Sequence, residues 1–248
     1  MEDVKSTTAA AAPLLRLNSQ ALTDFAEQEW AGTHAASPLS ALFQGQTLHI
    51  SSCSACDFTD PSFADVFVTD QLHLAPVAQL SSVKLEKLLA DASRAETMDE
   101  YECDRCSAAG TTEFASGHVR LPEVYVVRLN RGHFLPDGRS SRVSTSVRFP
   151  DRLDLRRHGR MCTAVADAQS QEYELFGAVF HAGATPNGGH YYSYVRRSSD
   201  EEWMQLNDCR VSRRGSPQEE EERGSCGGFG ARAMLLFYRR AAGVCGCV

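Results

Sequence analysis

Three things are scarce in this chain: positive charge, long apolar runs, and cysteine near its start. Lysine and arginine number 25 against 32 aspartates and glutamates, so the net charge is −7. That balance argues against a general nucleic-acid binder, which needs a basic face to neutralise phosphates, though a local basic patch is compatible with it, and it suits a partner with a basic surface or tail. The longest strongly apolar stretch near the C-terminus, Ala233–Tyr238, is far too short to span a bilayer, so no membrane association is expected. Met1-Glu2-Asp3 is acidic, and Ala9–Ala12 is neither long nor apolar enough for a secretory core. The expected setting is therefore the cytoplasm and/or nucleus, where thiols stay reduced. Residues 1–41 contain no cysteine, although the chain has nine. In a reducing compartment those nine point to metal binding or catalysis rather than disulfides.

With 248 residues, 42% hydrophobic and 23% charged, the chain can bury a sizeable core as one large domain or two small ones. Residues 1–13 are Ala/Thr/Ser-rich and expected to be disordered. Leu15, Leu22, Phe25 and Trp30 have helical spacing, which predicts an amphipathic helix over 14–30. Leu48 and Ile50 alternate in a strand that runs into Cys53-Ser-Ala-Cys56. A second strand is predicted over 63–74. Leu85, Leu88 and Leu89 mark the inner face of a helix that Ser81 or Ser82 would cap. Cys103-Asp-Arg-Cys106 then supplies a second C-x-x-C, with 46 residues (57–102) between the two pairs.

Paired C-x-x-C knuckles suit one tetrahedral zinc ion held by Cys53, Cys56, Cys103 and Cys106. Such a closed four-sulfur site is structural, because no coordination position stays open for a substrate. Four unrelated buried thiols are the plainer reading. A redox pair fits less well, since neither motif opens a helix after a Rossmann-like strand. Leu121–Arg131 is the most β-prone run, with Pro122 near its start, where a missing N–H does least harm. Arg156–Gln171 reads as an exposed insertion. Ser212–Gly230, with its run Glu219–Glu222, reads as a solvated loop.

The most informative stretch is His181–Val211. It contains two extended segments with apolar or aromatic residues at every second position. Gly188 and Gly189 directly precede His190, and they let a backbone approach the ring closely. Glycines, Pro186 and Asn187 make the connection between His181 and His190 look flexible. The second segment ends in Asn207-Asp208, groups able to hold an imidazole in one tautomer. A hairpin would bring this pair beside His190, giving two thirds of a Cys-His-Asn/Asp triad. A core histidine at a strand end is the plainer alternative.

Three blocks in this stretch carry a family resemblance: His181-Ala-Gly183, Gly189-His190-Tyr191-Tyr-Ser-Tyr194, and Trp203-Met-Gln-Leu206-Asn207-Asp208-Cys-Arg-Val211. Together they resemble the His box of the ubiquitin-specific proteases, papain-like cysteine deubiquitinases, with Leu206 in place of the usual aromatic. Residues 121–131, 143–155 and 231–239 also resemble that family's strands, with Gly132 replacing an aromatic. The resemblance implies an α+β papain-like fold, mostly antiparallel β Fingers and Palm with few helices and the Thumb largely missing. It divides the chain into a disordered start and helical remnant (1–40), a protease-like domain (41–240) and a tail (241–248), with Fingers over about 46–115 and Palm over about 116–240.

The family's N-terminal Cys box has no counterpart here, which leads to the expectation of a C-terminal portion of such a domain without its nucleophile segment. The resemblance further implies ubiquitin or ubiquitinated proteins as partners. His190, Asn207 and Asp208 would be catalytic, with Asn207 ranked ahead of Asp208. Gly188, Gly189 and Tyr191 would line the path of the substrate tail, and the four cysteines would hold one zinc at the tip of the Fingers. The alternative function is a non-catalytic, ubiquitin-binding pseudo-peptidase.

Overall fold

The computed structural model describes residues 19–33, 37–56, 58–134, 140–158, 171–185, 188–196, 202–223 and 231–241. The expectations for 1–13, Pro186, Asn187 and most of the 156–171 insertion lie outside them.

Helices α1 (Ser19–Thr33) and α2 (Pro38–Phe43) come first, followed by strands β1 (Gly45–Cys53), β2 (Thr59–Phe67), β3 (Asp70–His73) and β4 (Ser82–Lys84). Helix α3 (Leu85–Ala92) precedes β5 (Glu96–Glu102), β6 (Ala109–Arg120), β7 (Val124–Asn130), β8 (Gly132–Phe134), β9 (Ser140–Arg142), β10 (Ser146–Arg148) and β11 (Arg152–Asp154). The chain closes with β12 (Glu172–Thr185), β13 (Gly188–Arg196), β14 (Trp203–Asn207), β15 (Arg210–Arg214), α4 (Pro217–Arg223) and β16 (Ala231–Arg240). Among the described residues no helix is long and apolar enough to cross a membrane.

Two sheets organise the fold. One has four strands in the order β2-β1-β6-β5, and the other has eight, running β15-β14-β13-β12-β16-β7-β3 with β11 beside β12. All pairings in the larger sheet are antiparallel except β3–β7. Its inner face buries Tyr125, Val127, Phe180, Tyr194 and Leu236 against Leu85, Leu88 and Leu89 of α3. Each such side chain contributes roughly 1.5–3 kcal/mol by leaving water. A smaller core lies on the four-stranded sheet, where Leu22 and Ala26 of α1 pack with Leu48, Ile50 and Val119.

Several sequence expectations need correction. The run 63–74 is two strands: the chain bends at Val68–Thr69, so β2 stays in the small sheet while β3 joins the large one. One alternating apolar pattern thus serves two sheets. Among the described residues the first helix spans Ser19–Thr33, three residues beyond the expected end at Trp30, and the expected start at 14–18 lies outside them. Neither Ser81 nor Ser82 caps α3. Its N-cap is Lys84, with no side-chain cap bond, because Ser82–Lys84 pairs in parallel with Ser146–Arg148. Most of the connection between the two histidines is strand: β12 continues to Thr185, which pairs with Gly188, and Ala182 pairs with His190.

The largest correction concerns the acidic run. Within the expected solvated loop, residues 212–214 belong to β15 and 217–223 form α4, and Glu221 is only 1% exposed. Glu221 accepts from the amides of Val147 (2.9 Å) and Ala233 (2.7 Å) and pairs with Arg131 at 3.3 Å. Arg131 also donates to the carbonyls of Ala233, Val143 and Thr145. Burial lowers the Arg131 guanidinium to about 10, against the opposing pull of Glu221. A single carboxylate therefore satisfies buried donors from β10, β16 and the end of β7, the accounting that a buried charge requires.

A second buried network joins the sheets. His118 of β6 is hydrogen-bonded through Nδ1 to Thr47 Oγ1 (2.8 Å) and through Nε2 to Asp70 (3.2 Å), while Tyr125 donates to the same Asp70 oxygen. Phe67 stacks on the His118 ring at 4.4 Å.

Candidate active site and metal centre

His190 stands near the start of β13, and Asn207 is the last residue of β14. The two strands pair antiparallel through Ser193–Leu206 and Arg196–Trp203. That register, set by inward-facing Tyr194 and Trp203, brings the strand ends together. His190 Nε2 lies 2.6 Å from Asn207 Oδ1. With a carboxamide oxygen facing it, Nε2 carries the proton, so in the neutral ring Nδ1 is the basic nitrogen. The ring is open to a reactant, with 46% of the side chain exposed.

Asp208 sits differently. Its carboxylate is 3.9 Å from Nε2 and 76% exposed, too distant for a hydrogen bond and weakened by solvent. Asp208 adopts φ 52°, and with Cys209 it forms the turn that returns the chain as β15. The structure thus brings His190 and Asn207 into contact and leaves Asp208 at the margin.

Gly188, Gly189 and Tyr191 form an exposed rim along β13. The need for glycine at 189 is specific. Its φ is 155°, and a Cβ there would fall 2.3 Å from His181 Nε2 and 2.5 Å from the Ala182 carbonyl. His181 itself is 3% exposed, with its ring 4.6 Å from that of Tyr191. Burial, reinforced by the nearby Arg142 cation, lowers its pKa. Arg142 donates to the carbonyls of Gly183 (2.5 Å) and His181 (2.9 Å), pinning the hairpin from β9. No sequence signal marks Arg142 for this task, because only the fold brings β9 against β12.

The four cysteines converge from two knuckles, one after β1 and one after β5. Their sulfurs lie within 4.8 Å of one another, with Cys53–Cys106 and Cys56–Cys103 both at 3.9 Å. Thiolates placed tetrahedrally at about 2.3 Å from one ion sit about 3.8 Å apart, close to the two 3.9 Å pairs seen here, so the donor set suits zinc. Cys103 is lowered to about 7 by the amides of Cys106 and then Arg105. The Phe58 amide lowers Cys56, but burial and the neighbouring thiols outweigh it and push Cys56 up to about 12. A bound cation would favour the thiolate form of its cysteine ligands.

Comparison with known proteins agrees with this architecture. The family profile described as "Ubiquitin carboxyl-terminal hydrolase" matches residues 12–238. Ubiquitin carboxyl-terminal hydrolase 26 of Oryza sativa subsp. japonica is 28% identical over 180 residues, covering 70% of this chain and 16% of its own length. Ubiquitin carboxyl-terminal hydrolase cyk-3 of Caenorhabditis elegans is 30% identical, with coverage of 75% and 14%. Ubiquitin carboxyl-terminal hydrolase 8 of Saccharomyces cerevisiae is 27% identical, with coverage of 79% and 40%. Among solved structures, the yeast SAGA deubiquitinating module superposes with a TM-score of 0.68 at 22% identity, over 91% of this chain and 48% of that one. The Ubp8/Sgf11/Sus1/Sgf73 module bound to monoubiquitin gives 0.69 at 24% identity, with coverage of 90% and 47%. The chain spans less than half the length of each of these proteins. Its profile match, its two-sheet fold and its His box together place it in the ubiquitin carboxyl-terminal hydrolase family, as a ubiquitin-specific protease-type domain.

Proposed function

We propose that this chain contributes the base-and-orienter half of a thiol-dependent deubiquitinase site, with His190 as general base and Asn207 as the residue that orients it. The observation that carries this reading is the 2.6 Å contact from His190 Nε2 to Asn207 Oδ1 at the open end of the eight-stranded sheet. Asn207 holds the proton on Nε2 and so presents Nδ1 to a reacting thiol. Nδ1 takes the thiol proton, and the thiolate attacks the carbonyl of ubiquitin's terminal glycine. The imidazolium then protonates the departing lysine amine, leaving a thioester. In the second step the ring takes a proton from water, which hydrolyses that thioester and restores the thiol. Gly188, Gly189 and Tyr191 border a path narrow enough for ubiquitin's diglycine end, and Asp208 adds only a weak, solvent-screened field.

The four cysteines would bind one structural zinc, which supplies cross-linking rather than catalysis. In this reading the four-stranded sheet is the Fingers and the eight-stranded sheet the Palm, with the protein working in the cytoplasm and/or nucleus.

A second reading, a ubiquitin-binding module without turnover, is favoured by one observation: among the described residues no cysteine is hydrogen-bonded to His190. A ubiquitin probe ending in a thiol-reactive group separates the two. Covalent labelling that is lost in His190→Ala supports catalysis. Binding without labelling supports the module, and neither outcome would remove ubiquitin as the proposed partner.

A further inference from the structure

The acidic run absorbed no role in the function above, yet α4 inserts it beside the strand that carries His190. Glu220 is partly buried, and its two oxygens are shared between two tyrosines of β13. Oε1 accepts from Tyr192 Oη at 2.7 Å and Oε2 accepts from Tyr194 Oη at 3.1 Å. Both tyrosines are inside the protein, at 9% and 2% exposure. They share the strand face of His190, two and four residues further along, since side chains repeat every second residue. Tyr192 stacks nearly parallel on Phe180 of β12 at 5.7 Å. The chain of contacts continues across the sheet. Gln205 of β14 donates to Tyr194 Oη at 3.3 Å, and Arg214 of β15 donates to Gln205 Oε1 at 3.2 Å.

Glu220 is therefore bonded to the strand that ends in His190, and through Tyr194 to the strand that ends in Asn207. The sequence Glu220, Tyr194, Gln205 spans the same pair of strands as the His190–Asn207 contact, two residues further into the sheet on β14 and four on β13. A carboxylate is the side chain that can accept from two phenols at once. Charge-assisted bonds of this kind are short and directional. Loss of this crossbar would let β13 and β14 twist independently at their free ends, where only one hydrogen bond joins the two side chains.

We propose that Glu220 is a positioning residue for the candidate active site: by anchoring Tyr192 and Tyr194 it fixes the relative twist of β13 and β14, and so keeps His190 against Asn207. The proposal rests on the catalytic reading of that pair, and its test separates the two. The readout is the tautomer of His190, followed by nitrogen-15 NMR of the labelled full chain, with thermal unfolding measured alongside.

Wild type shows a ring protonated on Nε2. Glu220→Gln keeps one acceptor for two phenols, and Glu220→Ala keeps none. The ratio of Nε2–H to Nδ1–H tautomer falls in that order, by about tenfold in the alanine variant, the worth of one ordinary hydrogen bond. Tyr194→Phe reproduces the loss, and adding Glu220→Gln to it changes the ratio further only by the share that Tyr192 carries. Should the variants lower the melting temperature while the His190 tautomer ratio stays at the wild-type value, Glu220 is a packing residue and the inference is overturned. Should wild type itself carry the proton on Nδ1, the orienting role of Asn207 fails, whatever the Glu220 variants do.

Discussion

At the scale of single residues, the site depends on one hydrogen bond and one missing side chain. Because Asn207 faces Nε2 at 2.6 Å and Asp208 stands 3.9 Å away and mostly in water, the two should differ sharply on substitution. In a form of the protein that turns over ubiquitin conjugates, His190→Ala lowers kcat/KM by about 10²–10⁴, the usual worth of a positioned base. Asn207→Ala approaches that loss, whereas Asp208→Ala changes the rate only severalfold. A fluorogenic ubiquitin substrate reads all three, and equal losses at 207 and 208 would contradict the assignment. Gly189→Ala tests the backbone: its new Cβ meets His181 Nε2 at 2.3 Å, in a conformation that side chains rarely adopt. The expected cost is about 1–3 kcal/mol in urea unfolding. The His190–Asn207 pairing was legible in the sequence because a strand's period of two, the glycines and the Asn-Asp pair all lie within one local hairpin. Arg142 was not legible, since its carbonyl partners lie about 40 residues away and a guanidinium aimed at backbone leaves no pattern.

At the scale of elements, α4 shows how composition misleads. Four consecutive glutamates read as a solvated face, yet Glu221 is held by Arg131 and two amides, and Glu220 by two phenols. Their fate is decided by Arg131, just after β7, and by donors on β10, β13 and β16, none of which the run itself encodes. Glu221→Ala leaves Arg131 buried without its partner and should cost about 3–5 kcal/mol. Glu222→Ala, at an exposed position, should stay within about 0.5 kcal/mol of wild type. Chemical denaturation of the two variants checks the contrast. The cysteine knuckles were legible for the opposite reason, since C-x-x-C encodes its own turn and only the pairing of the two motifs needed the fold. A strong chelator should speed amide hydrogen exchange at the tips of β1, β2, β5 and β6 and leave β7, β12 and β16 protected. Uniform exchange across both sheets would show that the cluster supports more than its own tip.

For the molecule as a whole, acid should be a specific weakness. His181 is buried beside Arg142, and its folded pKa lies below the usual histidine value. Once pH drops below about 6.5 the unfolded chain takes up a proton at this position while the folded protein still resists, so the unfolded state gains. The contribution of His181 is therefore complete above that pH and is lost as pH falls toward the depressed folded value. Melting temperatures between pH 7.5 and 5.5 should decline, and His181→Gln, which cannot take the charge, should flatten the decline. An unchanged slope would place the acid sensitivity elsewhere.

The bend at Val68–Thr69 has a mechanical meaning. One uninterrupted length of backbone leaves the cysteine-bearing sheet and enters the larger one, where Asp70, His118, Tyr125 and Thr47 rivet the crossing shut. From β3 and β7 the sheet runs across β16 and β12 to the strand that bears His190, so the two ends of this molecule are joined by one continuous run of paired backbone.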